Sequence, residues 1–233
     1  MPLVKRIDIP DDWYKKLKHY IESEEFTKLG RYVASKRKET DVFPPSKEIF
    51  RAFQLTPYNN VNTVIIGMDP YPNLYKEKPV ACGLSFAPRD RDYIPPSLRQ
   101  IYNRIKEDFY SDEMTFPVDL NIEHWAKQGV LMLNAALTVE QGKPGSHMKV
   151  WENWTTEVIN ALNEYSTGVI FCLWGKDAQA FQSKIGSHHI VLTAEHPVAA
   201  SYQGRQWSCN HFKQINTHLM GANGYDIEWI KTQ

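Results

Sequence analysis

The sequence predicts an α/β fold in which a central parallel sheet is covered by helices on both faces. Four short apolar runs, residues 61–67, 130–134, 168–174 and 190–195, have the length and β-branched content of buried strands. Helical periodicity fills the stretches between them, at 97–108, 151–165 and 177–184. Strands that alternate with helices form crossover units, and such units build parallel sheets.

The N-terminal part of the chain predicts helix outside this alternating region. Within residues 11–38, apolar side chains recur at three- and four-residue steps from Trp13 onward. Pro44 and Pro45 interrupt the pattern, and Ser46 is placed to cap a short helix that follows. With 233 residues, we expect one domain over residues 1–233, with an N-terminal helical region of about residues 1–40 packed on it.

Composition excludes several classes of protein. Lys plus Arg and Asp plus Glu both number 27, so no overall positive charge favours nucleic acid, although a local basic patch stays open. The three cysteines, Cys82, Cys172 and Cys209, are too few for a four-thiolate cluster and odd in number for a disulfide framework, and they favour a reducing compartment. No apolar run approaches a membrane span, and MPLVKRIDIP lacks a signal-peptide apolar core. We therefore expect a soluble intracellular protein, cytoplasmic, or nuclear if the source is a eukaryote.

Polar side chains stand at the ends of the predicted strands. Asp69 follows the first strand, Asn134 ends the second, and His196 follows the fourth. Ligands of open α/β sheets bind beyond the carboxyl ends of the strands. An isolated Asp-Pro is usually a turn, and a single His before Pro is usually structural. Their joint placement favours an active site with an acid/base pair.

Seven segments identify a resemblance to a known family. In order and at near-normal spacing, they are similar to motifs of the family-1 uracil-DNA glycosylases: TPYNNVNTVIIGMDPYP, IPPSL, VLMLNAALTV, GKPGSH, LWGKDAQ, HHIVLTAEHPVAAS and CNHF. The similarity covers roughly residues 43–229. It implies a central four-stranded parallel sheet and a monofunctional enzyme of base excision repair. Such an enzyme hydrolyses the N-glycosidic bond of deoxyuridine in DNA, releases uracil and leaves an abasic site.

The resemblance also implies roles for the strand-end residues. Asp69 matches the carboxylate that supports the attacking water and the oxocarbenium-like sugar, and His196 matches the imidazole that stabilises the departing uracil anion. Asn134 matches the amide that reads the Watson–Crick edge of uracil, and Phe86 the ring that stacks on the flipped base. Tyr71 matches the ring that excludes the thymine methyl group.

Other matched positions imply contacts with base and DNA backbone. Met68 takes the place of the family's Gln, and its backbone N–H can still serve the base. Three loops resemble the family's backbone-pinching loops, and their hydroxyls and amides can bind phosphates without formal charge. The DNA-binding residues predicted in this way are Pro95, Pro96, Ser97, Ser146, His147, Pro197, Ala200 and Ser201.

The chain departs from the family pattern at several positions. Pro72 and Asn73 replace the usual His and Gly, Ala199 replaces the second Pro of the last loop, and GSHMKVWE is one residue short. Ala200 replaces the Leu that fills the stack vacated by the base, which predicts a stronger preference for single-stranded DNA than the family norm. Tyr202 and Gln203 lie nearby in the sequence and could fill the vacated stack in place of the Leu.

Two alternatives stay open at this point. Changes in the water-binding loop and at Ala200 favour a catalytically weakened relative that binds DNA or a replication partner. Changes at Met68 and Pro72 favour a glycosylase for another modified pyrimidine. The partner in every case is DNA, single- or double-stranded, and a protein inhibitor or replication partner is left open. We expect no cofactor, no metal because the histidines are scattered, and a monomer.

Overall fold

The central sheet and its helices follow the predicted alternation. The computed structural model describes residues 7–110, 122–165 and 168–230. The helices are α1 (Asp11–Ile21), α2 (Glu24–Glu39), α3 (Arg51–Leu55), α4 (Pro96–Phe109), α5 (Glu123–Lys127), α6 (Met148–Leu162), α7 (Lys176–Gln179), α8 (Pro197–Tyr202) and α9 (His211–Asn223). The strands are β1 (Val42–Phe43), β2 (Thr63–Gly67), β3 (Leu74–Tyr75), β4 (Lys78–Pro79), β5 (Val130–Asn134), β6 (Val139–Glu140), β7 (Ile170–Trp174) and β8 (Ile190–Ala194).

Four of these strands form the predicted parallel sheet, in the order β5-β2-β7-β8. β2, β5 and β7 are buried throughout, which explains their continuous apolar runs. In register, Gly67 pairs with Asn134 and Trp174 pairs with Ala194. The last residues of all four strands therefore lie along one edge of the sheet. The four-stranded parallel sheet with surrounding helices is confirmed.

The stretch 11–38, predicted as helix, is divided into two helices. α1 ends at Ile21 and α2 begins at Glu24, because Ser23 accepts a hydrogen bond from the N–H of Phe26 at 3.1 Å and caps the second helix. Buried side chains of both helices, with Trp13 fully buried, belong to the same hydrophobic core as the sheet. The one-domain organisation stays a prediction, and residues 1–6 of the expected 1–40 region lie outside the described residues.

Two other helix predictions are shortened in the structure. The segment after Pro45 begins as a 3-10 turn, Ser46–Glu48, and Ser46 makes no side-chain cap; α3 then starts at Arg51. The 177–184 region contains α7 followed by a 3-10 turn, Gln182–Lys184. Cys82, Cys172 and Cys209 are all free and buried. Within the described ranges, no helix combines the length and apolar character needed to cross a membrane.

Candidate active site

Asp69 lies in the turn that follows β2, where a neighbouring loop fixes its carboxylate. The backbone N–H of Gly145 donates to Asp69 Oδ2 at 2.6 Å. Gly145 has a φ of +78°, a conformation that glycine adopts without strain. Burial raises the pKa of Asp69 to about 6, and the charge of Asp177 adds to this while the Gly145 hydrogen bond opposes it. The carboxylate is therefore positioned but poorly solvated.

Asn134 closes the adjacent strand and lies against Gly67. A Cβ atom at Gly67 would come within 2.7 Å of Asn134 Oδ1 and 3.3 Å of the Phe86 ring. A side chain at this position would displace the Asn134 amide and crowd the Phe86 ring. A backbone hydrogen bond joins the ends of the two strands, since the N–H of Ala135 donates to the carbonyl of Gly67 at 2.9 Å. Asn134 is only 6% exposed, so its amide faces a site largely closed to bulk water.

Two aromatic side chains are held in fixed orientations beside the amide. Tyr71 donates its O–H to the carbonyl of Phe86 at 3.0 Å, so the hydroxyl of Ser97, 2.8 Å away, donates to the Tyr71 oxygen. Burial raises the pKa of Tyr71 well above its usual value and keeps the hydroxyl neutral. Phe86 adopts a φ of +60°, uncommon for a side-chain-bearing residue, and such strain concentrates at functional sites.

His196 follows β8 and caps the start of α8. Its Nδ1 accepts a hydrogen bond from the N–H of Val198 at 3.2 Å, which leaves the proton of a neutral ring on Nε2. Burial lowers the pKa of His196, with an opposing effect from Asp177, and so favours the neutral form. Glycine at position 175 allows His196 to pack closely against the chain after β7. Gly175 has a φ of +95°, and a Cβ there would lie 2.9 Å from His196 Cβ.

These groups surround one cleft at the carboxyl edge of the sheet. The cleft measures about 220 Å³, smaller than the roughly 300–1,000 Å³ of sites for drug-sized ligands. Its wall contains all six residues predicted to act on the base: Met68, Asp69, Tyr71, Phe86, Asn134 and His196. Pro96 and Ser97 of the predicted DNA-binding set also line it. The sheet register explains this convergence, because β2, β5 and β8 end at the same edge.

The other predicted DNA-binding residues differ in exposure. Pro96 is exposed and Ser146 and Ser201 are half-buried, whereas Pro95, Ser97 and Pro197 are buried. Ser146 accepts a hydrogen bond from the N–H of Glu140 at 2.9 Å, so its oxygen already supports its own turn.

Two residues of the predicted DNA-binding set, Ala200 and His147, have buried side chains. Ala200 is fully buried in the hydrophobic core, so its side chain does not face the surface on which DNA would lie. His147 is also buried, and its Nδ1 is hydrogen-bonded to the Thr138 hydroxyl at 2.8 Å. Burial lowers the pKa of His147 and favours the uncharged ring. The His147 ring therefore packs beneath the surface of its own turn, and a DNA contact from this turn or from Ala200 would come from the backbone.

Sequence reasoning missed three residues that shape the site. Gly145 lies in the recognised GKPGSH segment, but nothing in the sequence identified its N–H as the partner of Asp69. Gly175 and Asp177 lie in LWGKDAQ, where the motif alone gave no role for the positive φ or for the charge that acts on both Asp69 and His196. Among the described residues, no group of three or more His, Cys, Asp or Glu side chains is arranged to hold a metal ion.

A parallel sheet with a small cleft beyond its strand ends, lined by a carboxylate, an amide and an imidazole, is typical of an α/β enzyme that acts on a small ligand. The family model described as the Uracil DNA glycosylase superfamily matches residues 53–220. The chain therefore belongs to the uracil-DNA glycosylase superfamily.

Curated relatives and solved structures agree with that assignment. A uracil-DNA glycosylase from Vibrio vulnificus is 39% identical over 222 residues, covering 93% of this chain and 95% of its own. One from Fusobacterium nucleatum is 35% identical over 223 residues, covering 95% and 96% respectively. The crystal structure of mimivirus uracil-DNA glycosylase is similar with a TM-score of 0.81 and 25% identity, covering 94% of this chain and 86% of that one.

Proposed function

We propose that this protein hydrolyses the N-glycosidic bond of deoxyuridine in DNA, releasing free uracil and leaving an abasic site. The observation that carries the proposal is the convergence of Asp69, Asn134 and His196 on one cleft beside the ring of Phe86. The relatives named uracil-DNA glycosylase, similar over nearly the whole chain, support the same reaction.

Asp69 supplies negative charge where the sugar becomes cationic. With a pKa raised to about 6, the carboxylate is mostly ionised at neutral pH. As the glycosidic bond breaks, positive charge develops on the deoxyribose, and an ionised carboxylate in a site of low polarity stabilises it strongly. The second carboxylate oxygen can orient the attacking water while Gly145 holds Oδ2.

His196 acts on the departing base as a neutral donor. Its Nε2–H is free to donate to uracil O2, because Nδ1 is the acceptor for Val198. Negative charge grows on O2 as the bond to the sugar breaks, so the hydrogen bond strengthens in the transition state. A neutral imidazole serves here because the burial that lowers the pKa of His196 also removes competing water.

Recognition of uracil depends on the amide and the two rings. The Asn134 amide offers one acceptor and two donors, which match N3–H and O4 of uracil and mismatch cytosine. The ring of Phe86 provides the stacking surface. Tyr71 is held by two hydrogen bonds, so its ring resists displacement by a substituent at C5 of the base. The backbone N–H of Met68 adds a donor to the base.

DNA contacts are proposed for the residues that remain accessible at the rim, Pro96, Ser146 and Ser201, together with the backbone amides of their loops. The substrate is single- or double-stranded DNA. That the protein works as a monomer inside the cell stays a prediction from composition and length.

A glycosylase for a modified pyrimidine is the second candidate, because Met68 and Pro72 line the cleft where the family has polar residues. The two hydrogen bonds that hold Tyr71 favour uracil over any base with a C5 substituent. A protein that only binds DNA is the third candidate, and it differs from both enzymes in releasing no base.

Single-turnover release of base tests the proposal. The oligonucleotides are matched in sequence and carry uracil in single strand, U:G or U:A, thymine, or 5-hydroxymethyluracil. Asp69→Asn and His196→Ala are compared with the unaltered protein. We expect rapid release of uracil alone and a loss of at least about 100-fold in each variant. No release from any uracil substrate overturns the proposal in favour of DNA binding, and preferred release of 5-hydroxymethyluracil overturns it in favour of the second candidate.

A further inference from the structure

α8 presents one side chain to solvent at the rim of the cleft and turns another into the core. Ala200 is fully buried, whereas Tyr202 is 84% exposed. Two positions along an α-helix rotate a side chain by about 200°, which explains why these neighbours point in different directions. The other large hydrophobic side chains exposed in the described ranges reach 51% at most. Tyr202 is therefore the most exposed of them.

Position distinguishes Tyr202 from an ordinary exposed hydrophobic residue, which by itself needs no explanation. Tyr202 lines the same cleft as Asp69, Asn134 and His196. It stands at the C-terminal end of the helix that His196 caps, so one short element carries both residues. An aromatic ring that stands in solvent beside a pocket for a single base is placed to meet the neighbouring bases.

Hydrogen bonds in the turn after α8 fix the backbone that carries the Tyr202 ring. Arg205 forms two hydrogen bonds of 2.5 Å with the carboxylate of Glu195, and its N–H donates to the carbonyl of Ala200 at 3.1 Å. Trp207 Nε1 donates to the carbonyl of Glu195 at 2.9 Å. These bonds join the end of α8 to the residue that follows β8. The ring is consequently presented from a defined backbone, which lowers the entropy lost when it inserts.

We propose that Tyr202 inserts into the DNA stack at the place vacated by the flipped deoxyuridine. This inference rests on the proposed function. A flipped nucleotide leaves a gap between its neighbouring base pairs, and apolar or aromatic side chains that enter such gaps offset the lost stacking. Base–aromatic stacking tolerates any sequence, because every base has a π-face. Tyr202 thus replaces Ala200 as the wedge, and it restores the cleavage of duplex DNA that the sequence at Ala200 predicted to be impaired.

The kinetic test compares duplex with single-stranded substrate, since only a duplex has a stack to refill. Tyr202→Ala should slow uracil release from U:A and U:G duplexes by about tenfold or more and change single-strand release by less than about twofold. Tyr202→Phe keeps the ring and should retain duplex activity. Tyr225→Ala is the matched control, because Tyr225 is also exposed, at 43%, but lines a cavity at the opposite edge of the sheet.

A binding measurement separates this inference from the proposed reaction. A duplex with a tetrahydrofuran abasic analogue opposite 2-aminopurine contains the gap without needing cleavage. Insertion of the Tyr202 ring should quench the 2-aminopurine fluorescence, and Tyr202→Ala should abolish the quenching while Tyr225→Ala keeps it. Equal losses on single-strand and duplex substrates, or unchanged quenching in Tyr202→Ala, overturn the inference. Failure of the unaltered protein to release uracil from single strands overturns the proposed function instead.

Discussion

Replacing Asp69 by Asn should stabilise the folded protein while removing its activity. Burial of the Asp69 carboxylate raises its pKa from 3.8 to about 6, so ionisation is less favourable in the folded chain than in the unfolded chain. A difference of about two pKa units corresponds to roughly 3 kcal/mol, at 1.36 kcal/mol per unit. Asn keeps an acceptor for the Gly145 N–H but makes a weaker bond than the carboxylate. We therefore expect a net gain of about 2 kcal/mol at neutral pH.

The stability gained by Asp69→Asn should depend on pH, because it arises from the unfavourable ionisation of Asp69 in the folded protein. Below about pH 4, Asp69 is protonated in both states and its ionisation no longer opposes folding. Between about pH 4 and 6, the unfolded chain ionises first, so the stability contributed by the protonated carboxyl is lost as the pH rises. The free energy of unfolding of Asp69→Asn should exceed that of the unaltered protein most above about pH 6 and converge with it at lower pH.

Denaturant-induced unfolding at a series of pH values measures this difference. Asp226→Asn serves as a control because Asp226 is exposed, and it should change the free energy of unfolding by less than about 0.5 kcal/mol. A gain in Asp69→Asn that is equal at acid and neutral pH, or a loss of stability at neutral pH, would show that burial does not disfavour the carboxylate and would refute the reasoning.

Two further outcomes follow from the same cleft. Uracil release should fall as the pH drops through about 6 and reach roughly one tenth at about pH 5, because only about that fraction of Asp69 remains ionised there. Asp177→Asn should move this acid limb of the pH–rate profile to lower pH, and an acid limb that stays in place counts against its assignment to Asp69. Gly175→Ala should reduce uracil release about tenfold or more, because the new Cβ would lie 2.9 Å from His196 Cβ. Gly142→Ala is the control: Gly142 has a similarly positive φ of +72° but open space around it, so the substitution should reduce thermal stability and leave activity unchanged.

The sheet and most of the site could be predicted because they depend on local pattern and strand order. Buried strands carry continuous apolar runs, and a parallel sheet brings their ends together, so the sequence alone predicts Asp69, Asn134 and His196 at one edge. Exposure could not be predicted in the same way. Ala200 and Tyr202 lie two residues apart in one short helix, and only the packing of α8 on α4 decides which of them faces solvent.

The groups that shift the pKa values of Asp69 and His196 also could not be predicted from the sequence. The N–H of Gly145 and the charge of Asp177 reach Asp69 from segments 76 and 108 residues further along the chain, so their effects depend on tertiary structure. A motif can identify a carboxylate, but its degree of burial sets its pKa. The same holds for His196, whose neutral tautomer follows from the Val198 N–H that only α8 places at Nδ1.

The raised pKa of Asp69 and the proposed reaction explain each other. In the free protein, the ionised carboxylate lacks the solvation it has in water, and Gly145 compensates only in part. A cationic sugar in the transition state supplies the opposite charge that the site otherwise lacks, so the interaction is much stronger in the transition state than with the neutral ground state. A carboxylate already neutralised by a neighbouring Lys or Arg would gain less. In the proposed reaction, the unfavourable ionisation of Asp69 in the resting site is therefore part of what lowers the barrier.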